Sequence, residues 1–414
     1  MGKNKRGNIV QNELQEKLNN NAGTGKTEVM NDGGNLLVKF ANSNRYYEID
    51  NKGNVSEPKE LIIDKYPGDI TKDKDGNELD GSEEKPYEIW CIEDLVAFSK
   101  SSNEENKYGG KYINLMRDLD FASTLSYMDY KTKEYDEYLG GDGTTELKTQ
   151  LSSDGNGFKT IVSDPVKSFW GTFDGKENKI LNLYGGGSLF GNIYYATIKN
   201  LNVYGKIQND TSGIVSSAVN SYIINCSNYA DMTSLTTGGI CQNSTSSYFY
   251  NCYNAGTISG KWQSGAGGIV GETKDGTIIR NCYNLGDVSL TNGTSYACAG
   301  GIVGFIRTGD ITVENCYNIG NISSSKYKGG IIGGIGKNNM KMSNCYFLNN
   351  ISNGVGNSDG GTSVTLGQIK GSELVNGKYI FDIFNDFVKG YNGNDTLHEL
   401  KYWKLGENGL PTFK

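Results

Sequence analysis

Gly267-Gly268-Ile269-Val270-Gly271, followed by Ile279-Arg280-Asn281-Cys282-Tyr283-Asn284, is a phrase this chain repeats. The second half recurs as Asn225-Cys226-Ser227-Asn228, Asn251-Cys252-Tyr253-Asn254, Asn315-Cys316-Tyr317-Asn318 and Asn344-Cys345-Tyr346-Phe347. The first half recurs as Gly238-Gly239-Ile240-Cys241, Gly300-Gly301-Ile302-Val303-Gly304 and Gly329-Gly330-Ile331-Ile332-Gly333. The cysteines at 226, 252, 282, 316 and 345 are 26, 30, 34 and 29 residues apart. A period in this range is the signature of a solenoid or propeller. Ile223, Phe249, Ile279, Val313 and Met342 hold the apolar position three residues before each cysteine. Ile180-Leu181-Asn182-Leu183 and Ile198-Lys199-Asn200-Leu201 align with the same phrase, with leucine in the cysteine position. A slot that takes Leu or Cys is a buried apolar slot.

Each repeat holds about three short strand candidates, and none buries its apolar face alone. Stacking like on like gives a continuous core. The reading is therefore all-β: a parallel β-helix with residues 85–365 as the coil, 1–84 as a small N-terminal unit with a charged linker, and 366–414 as a C-terminal cap. The recurring asparagines suit corners, because Asn tolerates left-handed backbone and its amide can bond the next rung. They are expected to be structural. The column Tyr253, Tyr283, Tyr317 and Tyr346 is expected to stack outward, with a carbohydrate-contacting stripe as the alternative.

The 57 glycines fall at repeat corners without a Gly-X-Y period, which excludes collagen. A net charge of −7 argues against nucleic acid and anionic membranes as partners. No run of about 20 apolar residues occurs, so a membrane link would need an anchor absent from this chain. Stacked repeats set the five cysteines about 4.8 Å apart as a reduced ladder. Disulfides and a metal site are the alternatives, but no C-x-x-C pair occurs and His398 is the only histidine.

Leu36–Phe40 and Tyr46–Ile49 read as a hairpin after a short helix over 8–18. Ala22-Gly23-Thr24-Gly25-Lys26-Thr27 lacks the first glycine and the strand-to-helix context of a phosphate loop, and reads as a connector. Asp73, Asp75, Asn77 and Glu84 occupy calcium-loop positions, but Glu78 stands where glycine is required, which favours a solvated linker. Ile92, Leu95, Val96 and Phe98 mark an amphipathic helix, and Tyr112–Met116 a strand, together a lead-in cap. Residues 121–168 break the rhythm and read as an extension, either a contact surface or padding for the cap.

The stretch Phe169-Trp170-Gly171-Thr172-Phe173-Asp174-Gly175, Leu189-Phe190-Gly191 and the glycine-Ile-Val-glycine copies resemble the GLUG-motif repeats of bacterial surface proteins. Ile92-Glu93-Asp94-Leu95, Leu115–Asp120, Trp403 and Gly409-Leu410-Pro411 are similar to the lead-in and closing segments of that family. The resemblance implies a right-handed parallel β-helix at the cell surface, adhesin-like in some members. Other members accompany a zinc peptidase with an H-E-x-x-H helix, which a chain with one histidine cannot carry. Residues 1–60 faintly resemble the region behind the membrane helix of pilin-like proteins.

The expected function is a non-catalytic, extracellular surface or pilus-associated protein that binds a surface glycan or protein. No catalytic residue, metal ligand or cofactor site is assigned, and the ligand-binding residues are unknown. The alternative is a polysaccharide lyase or glycoside hydrolase on the same scaffold, which needs carboxylates gathered on adjacent rungs. Glu272 aligns with Asn192, Asn243, Phe305 and Gly334 instead, and Arg280 with Glu314 reads as a cross-rung ion pair.

Overall fold

A computed structural model describes residues 68–104, 108–121, 158–164, 166–185, 187–208, 212–234, 237–261, 265–291, 297–336, 339–393 and 398–414, with the backbone of four strands between 27 and 60. Those four, Thr27–Asp32, Asn35–Phe40, Arg45–Ile49 and Lys59–Glu60, form an antiparallel sheet with Leu36 opposite Ile49. This is the expected hairpin. The expected helix over 8–18 and most of the 121–168 extension lie outside the described residues.

The rest of the chain is a parallel β-helix. One turn contains the strands Gly265–Gly267, Val270–Lys274, Ile278–Arg280, Tyr283–Asn284 and Val288–Leu290, each paired in parallel with its counterparts one turn before and after. The expected apolar column is in register: Ile198, Ile223, Phe249, Ile279, Val313 and Met342 are successive partners. All but Met342 are fully buried, so each rung closes the core of the one below.

The register departs from the sequence alignment at one place. Ile180 pairs with Val203, on the next strand of the turn, while the partner of Ile198 is Phe173. Two neighbouring strands carry the same apolar-x-Asn pattern here, and Asn182 and Asn200 share a left-handed φ of 54°. The strand Tyr112–Leu115, expected as part of a cap, is itself a rung, paired with Tyr87–Ile89 and Thr172–Asp174.

The glycine phrase has a steric cause. A Cβ on Gly304 would lie 2.5 Å from the Ala266 nitrogen and from the Gly271 oxygen. On Gly268 and Gly301 it would strike the side chains of Asn284 and Asn318. The coil therefore closes backbone on backbone at this seam.

Residues 69–84 were expected to be solvated, but they dock on the first rung. Ile70 is buried, Gly68 donates to Asp94 Oδ1 at 2.8 Å, and the Tyr112 amide donates to the Gly81 carbonyl. Helix α1 (Ile92–Glu104), longer than the sequence suggested, sends Ile92, Leu95 and Phe98 into the core against Phe169 and Phe173.

The C-terminal segment was expected to close the end of the coil. It holds helices α2 (Leu366–Ile369, with a Thr365–Gln368 capping box) and α3 (Ile380–Asn392), then the strand pair Trp403–Leu405 and Pro411–Phe413. From α3 onward it lies along the flank of the coil: Ile380, Phe384, Leu400, Trp403 and Leu410 form a second core with Tyr250, Tyr283, Tyr317 and Tyr346.

Candidate functional site

Two amide ladders run up the coil. Asn200, Asn225, Asn251, Asn281 and Asn315 have φ between 54° and 57°. Each donates from Nδ2 to the carboxamide one rung back, at 2.7–2.9 Å, and Asn200 ends on Asp174 Oδ1. Asn228, Asn254 and Asn284 donate the other way, to the next rung, at 2.7–2.8 Å, ending on Asn318. The first set has the structural role expected of the corner asparagines; the second ladder was not singled out by the sequence reading.

The tyrosine column stacks as expected, with Tyr253, Tyr283 and Tyr317 within 2° of parallel, but Tyr283, Tyr317 and Tyr346 are buried and Tyr253 is half-buried against Phe413. Tyr317 is fully buried and donates to the Pro411 carbonyl at 2.6 Å, and Tyr283 meets Thr412 Oγ1 at 3.2 Å. Trp403 Nε1 donates to Asn281 Oδ1 at 2.6 Å. The alternative of a carbohydrate stripe on these rings fails because the C-terminal segment occupies it. Sequence periodicity could not show this, since the covering residues lie outside the repeat.

The thiols are reduced and buried, and each column cysteine points its Sγ at the carbonyl two residues back, at 3.1–3.3 Å. Burial pushes the Cys226, Cys282 and Cys345 thiols well up and Cys298 up to about 12, whereas at Cys252 and Cys316 burial is outweighed by hydrogen bonds from the flanking ladder thiols, which lower them. All of these thiols are buried, so none is presented to a substrate as a nucleophile. The aligned carboxylates are paired. Arg280 Nε bonds Glu314 Oε2 at 2.8 Å with Lys341 on Oε1 at 2.7 Å, and Arg307 bonds Glu272 at 2.6 Å. Burial opposes ionisation of Glu314, but the Lys341 and Arg280 hydrogen bonds overcome it and hold the carboxyl below its usual range. His398 lies 4.4 Å from the Tyr222 ring. Asp73 accepts from the Asp75 and Asn77 amides and from Asn77 Nδ2, so the loop read against a calcium site is closed by its own hydrogen bonds.

Glu93 is different. It sits in the first turn of α1, 2% exposed, and neither carboxylate oxygen is held in a well-formed hydrogen bond among the described residues, the Cys91 thiol being a weak neighbour. Burial raises its carboxyl to about 7, against the opposing pull of the Cys91 thiol and the Arg117 guanidinium, with Asp94 adding to the rise. The fold thus favours the neutral acid. Its stability contribution is intact below pH 4.5 and is lost as pH rises to about 7. At ~1.4 kcal/mol per pH unit, that span is worth roughly 3 kcal/mol. Urea denaturation of Glu93→Gln should show this loss removed, so that the variant gains on the wild type between pH 4 and pH 8.

Aromatic rings gather in the open at one corner. Trp170 (47% exposed), Tyr194 (44%) and Tyr195 (66%) occupy adjacent rungs. Phe169 bridges Ile193 in parallel, and the Tyr194 amide donates to the Phe169 carbonyl at 2.9 Å, which brings Trp170 beside the tyrosine pair. The tyrosine rings meet edge to face at 4.5 Å. Trp170 is fixed from below: its ring lies where a Cβ on Gly109 would be, 2.0 Å from Cζ2, and its carbonyl accepts from Gly110 at 2.8 Å. A separate cleft of about 250 Å³ lies between α1 and Phe158–Lys159. Ser99 and Asn103 on its wall are already bonded to the Lys159 and Thr160 carbonyls.

With this geometry in hand, comparison with known proteins adds a likeness of fold. No protein-family model and no curated protein matches the chain. Among solved structures, a "putative immunoglobulin A1 protease" from Bacteroides ovatus superposes with a TM-score of 0.54 at 21% identity, over 82% of this chain and 95% of that one. At that identity the likeness shows a shared fold.

The sequence reading missed the aromatic corner, although a signal was present. Aligning the turns puts Tyr195 where later turns have Asn220, Ser246, Asp275 and Gly309.

Proposed function

We propose that this is a non-catalytic cell-surface protein of the adhesin-like, GLUG-resembling kind, and that it engages an extracellular partner through its coil. The observation that carries this reading is how the polar groups on the regular rungs are used. The asparagines bond one another, Glu272 and Glu314 are held in ion pairs, and the single histidine packs on a tyrosine ring. What the coil offers solvent in concentrated form is aromatic surface, at Trp170, Tyr194 and Tyr195.

The enzyme reading keeps one observation in its favour, the fold shared with a protein described as a protease. A histidine-dependent protease would have to use His398, which is packed on Tyr222. Glu93 has the pKa of a general acid but is sealed from substrate. Incubation of purified protein with immunoglobulin A1 and with polymeric glycans, alongside pull-down from host and bacterial surfaces, separates the readings. Capture without cleavage is the expected result. Turnover abolished by one Asp or Glu substitution would replace this proposal with the enzyme.

A further inference from the structure

The corner at Tyr195 is built against local preference. The residues after Tyr194, Val219, Thr245, Lys274 and Thr308 are successive register neighbours, and their φ values are 50°, 47°, 47°, 29° and 77° for Tyr195, Asn220, Ser246, Asp275 and Gly309. These five successive turns therefore all make this corner left-handed. Asn, Asp and Gly suit that geometry, whereas a bulky side chain there is an outlier. Tyr195 is held in it by the next rung, its amide donating to the Val219 carbonyl at 3.1 Å. The ring gains no burial in return, since Tyr195 is 66% exposed. Strain kept at an exposed side chain that packs into no core points to a use outside the fold.

We propose that Trp170, Tyr194 and Tyr195 form a stacking platform for an uncharged sugar ring of a surface glycan; this rests on the partner-binding reading above and names the partner's chemistry and its site. Three arguments select that occupant. Rings of this type offer ~150–250 Å² each, and here Trp170 and Tyr194 are about half covered and Tyr195 about a third, so the platform falls well short of the ~800 Å² per partner of a stable protein interface. Exposed aromatics also receive the bases of single strands, but such sites line a basic groove, and this chain carries a net charge of −7. What remains is a small neutral ring ligand with an apolar face and polar edges. Trp170, pinned over Gly109, supplies a rigid flat surface, and the Tyr194 and Tyr195 hydroxyls supply hydrogen bonds at its rim.

The test uses the whole chain and two variants, Trp170→Ala and Tyr195→Asn, on an array of neutral and sialylated oligosaccharides. Titration calorimetry with the strongest-bound neutral oligosaccharide follows. Tyr195→Asn installs the residue that the next rung uses at this corner, so its melting temperature is expected to equal or exceed that of the wild type. Both variants are expected to bind at least about tenfold more weakly, the scale of one lost stacking contact. Binding that is unchanged in both variants would overturn this site while leaving a glycan-binding protein. Capture of a protein with no sugar bound anywhere on the array would overturn the glycan class and leave the partner-binding reading standing. Cleavage of an oligosaccharide would overturn both.

Discussion

Replacing Asn281 with alanine should cost the fold at least about 4 kcal/mol, enough to unfold much of the coil at 37 °C. The residue is fully buried and joins four partners. Its Nδ2 donates to Asn251 Oδ1 at 2.7 Å and to the Lys401 carbonyl at 2.9 Å. Its Oδ1 accepts from Asn315 Nδ2 at 2.7 Å and Trp403 Nε1 at 2.6 Å. Alanine leaves these groups without their partner in a dry interior, at ~1–3 kcal/mol for each that finds no other. It must also hold a φ of 56°, which alanine resists. Asn281→Gly relieves the backbone but not the hydrogen bonds and should recover only part of the loss. Asn281→Asp loses both donors and sets a charge among acceptors, so it should be the worst of the three near neutral pH. Thermal and urea unfolding of the set rank them. The same substitution should loosen the C-terminal segment, visible as faster amide exchange in Trp403–Leu405.

The second large effect is steric. Gly304→Val should not yield a folded coil, and Gly304→Ala should lose roughly 3 kcal/mol. The atoms a Cβ would meet, the Ala266 nitrogen and carbon and the Gly271 oxygen, are backbone and pinned by their own rungs. No side-chain rotation relieves the contact, and a backbone shift would propagate to the adjoining turns. Gly390→Ala is the matching control. It lies within α3 with no atom within 4 Å of the added Cβ, and should gain about 0.5–1 kcal/mol. Equal losses at both positions would show that the seam is not a close contact.

The repeat made the coil legible. A position held by Ile223, Phe249, Ile279, Val313 and Met342 and its neighbouring Asn identify both a core column and a corner, because stacking demands the same residue type at each level. The shift of Ile180 onto the neighbouring strand shows the limit of that argument. When two strands of one turn carry apolar-x-Asn, local pattern cannot assign the register, and the pairing of Ile198 with Phe173 decides it. The flank cover was illegible for another reason. Its contacts, such as Trp403 on Asn281, join residues 122 positions apart and follow no period. Outward tyrosines therefore read as solvent-facing when they are the floor of a second core. The aromatic corner was legible only as an exception to the repeat, a tyrosine in a column of Asn, Ser, Asp and Gly.

The central claim is that residues one repeat apart lie one rung apart. Lys206, Asp231, Thr257, Asp287 and Asn321 form an exposed column of successive rungs. Spin labels at Lys206→Cys and Asn321→Cys, with the native thiols buried and unreactive, read that spacing directly by dipolar spectroscopy. Four rungs at about 4.8 Å place the two attachment points about 19 Å apart, and the account predicts a narrow distribution near that value. A broad distribution, or one centred beyond about 35 Å, would mean that the turns do not stack in this register.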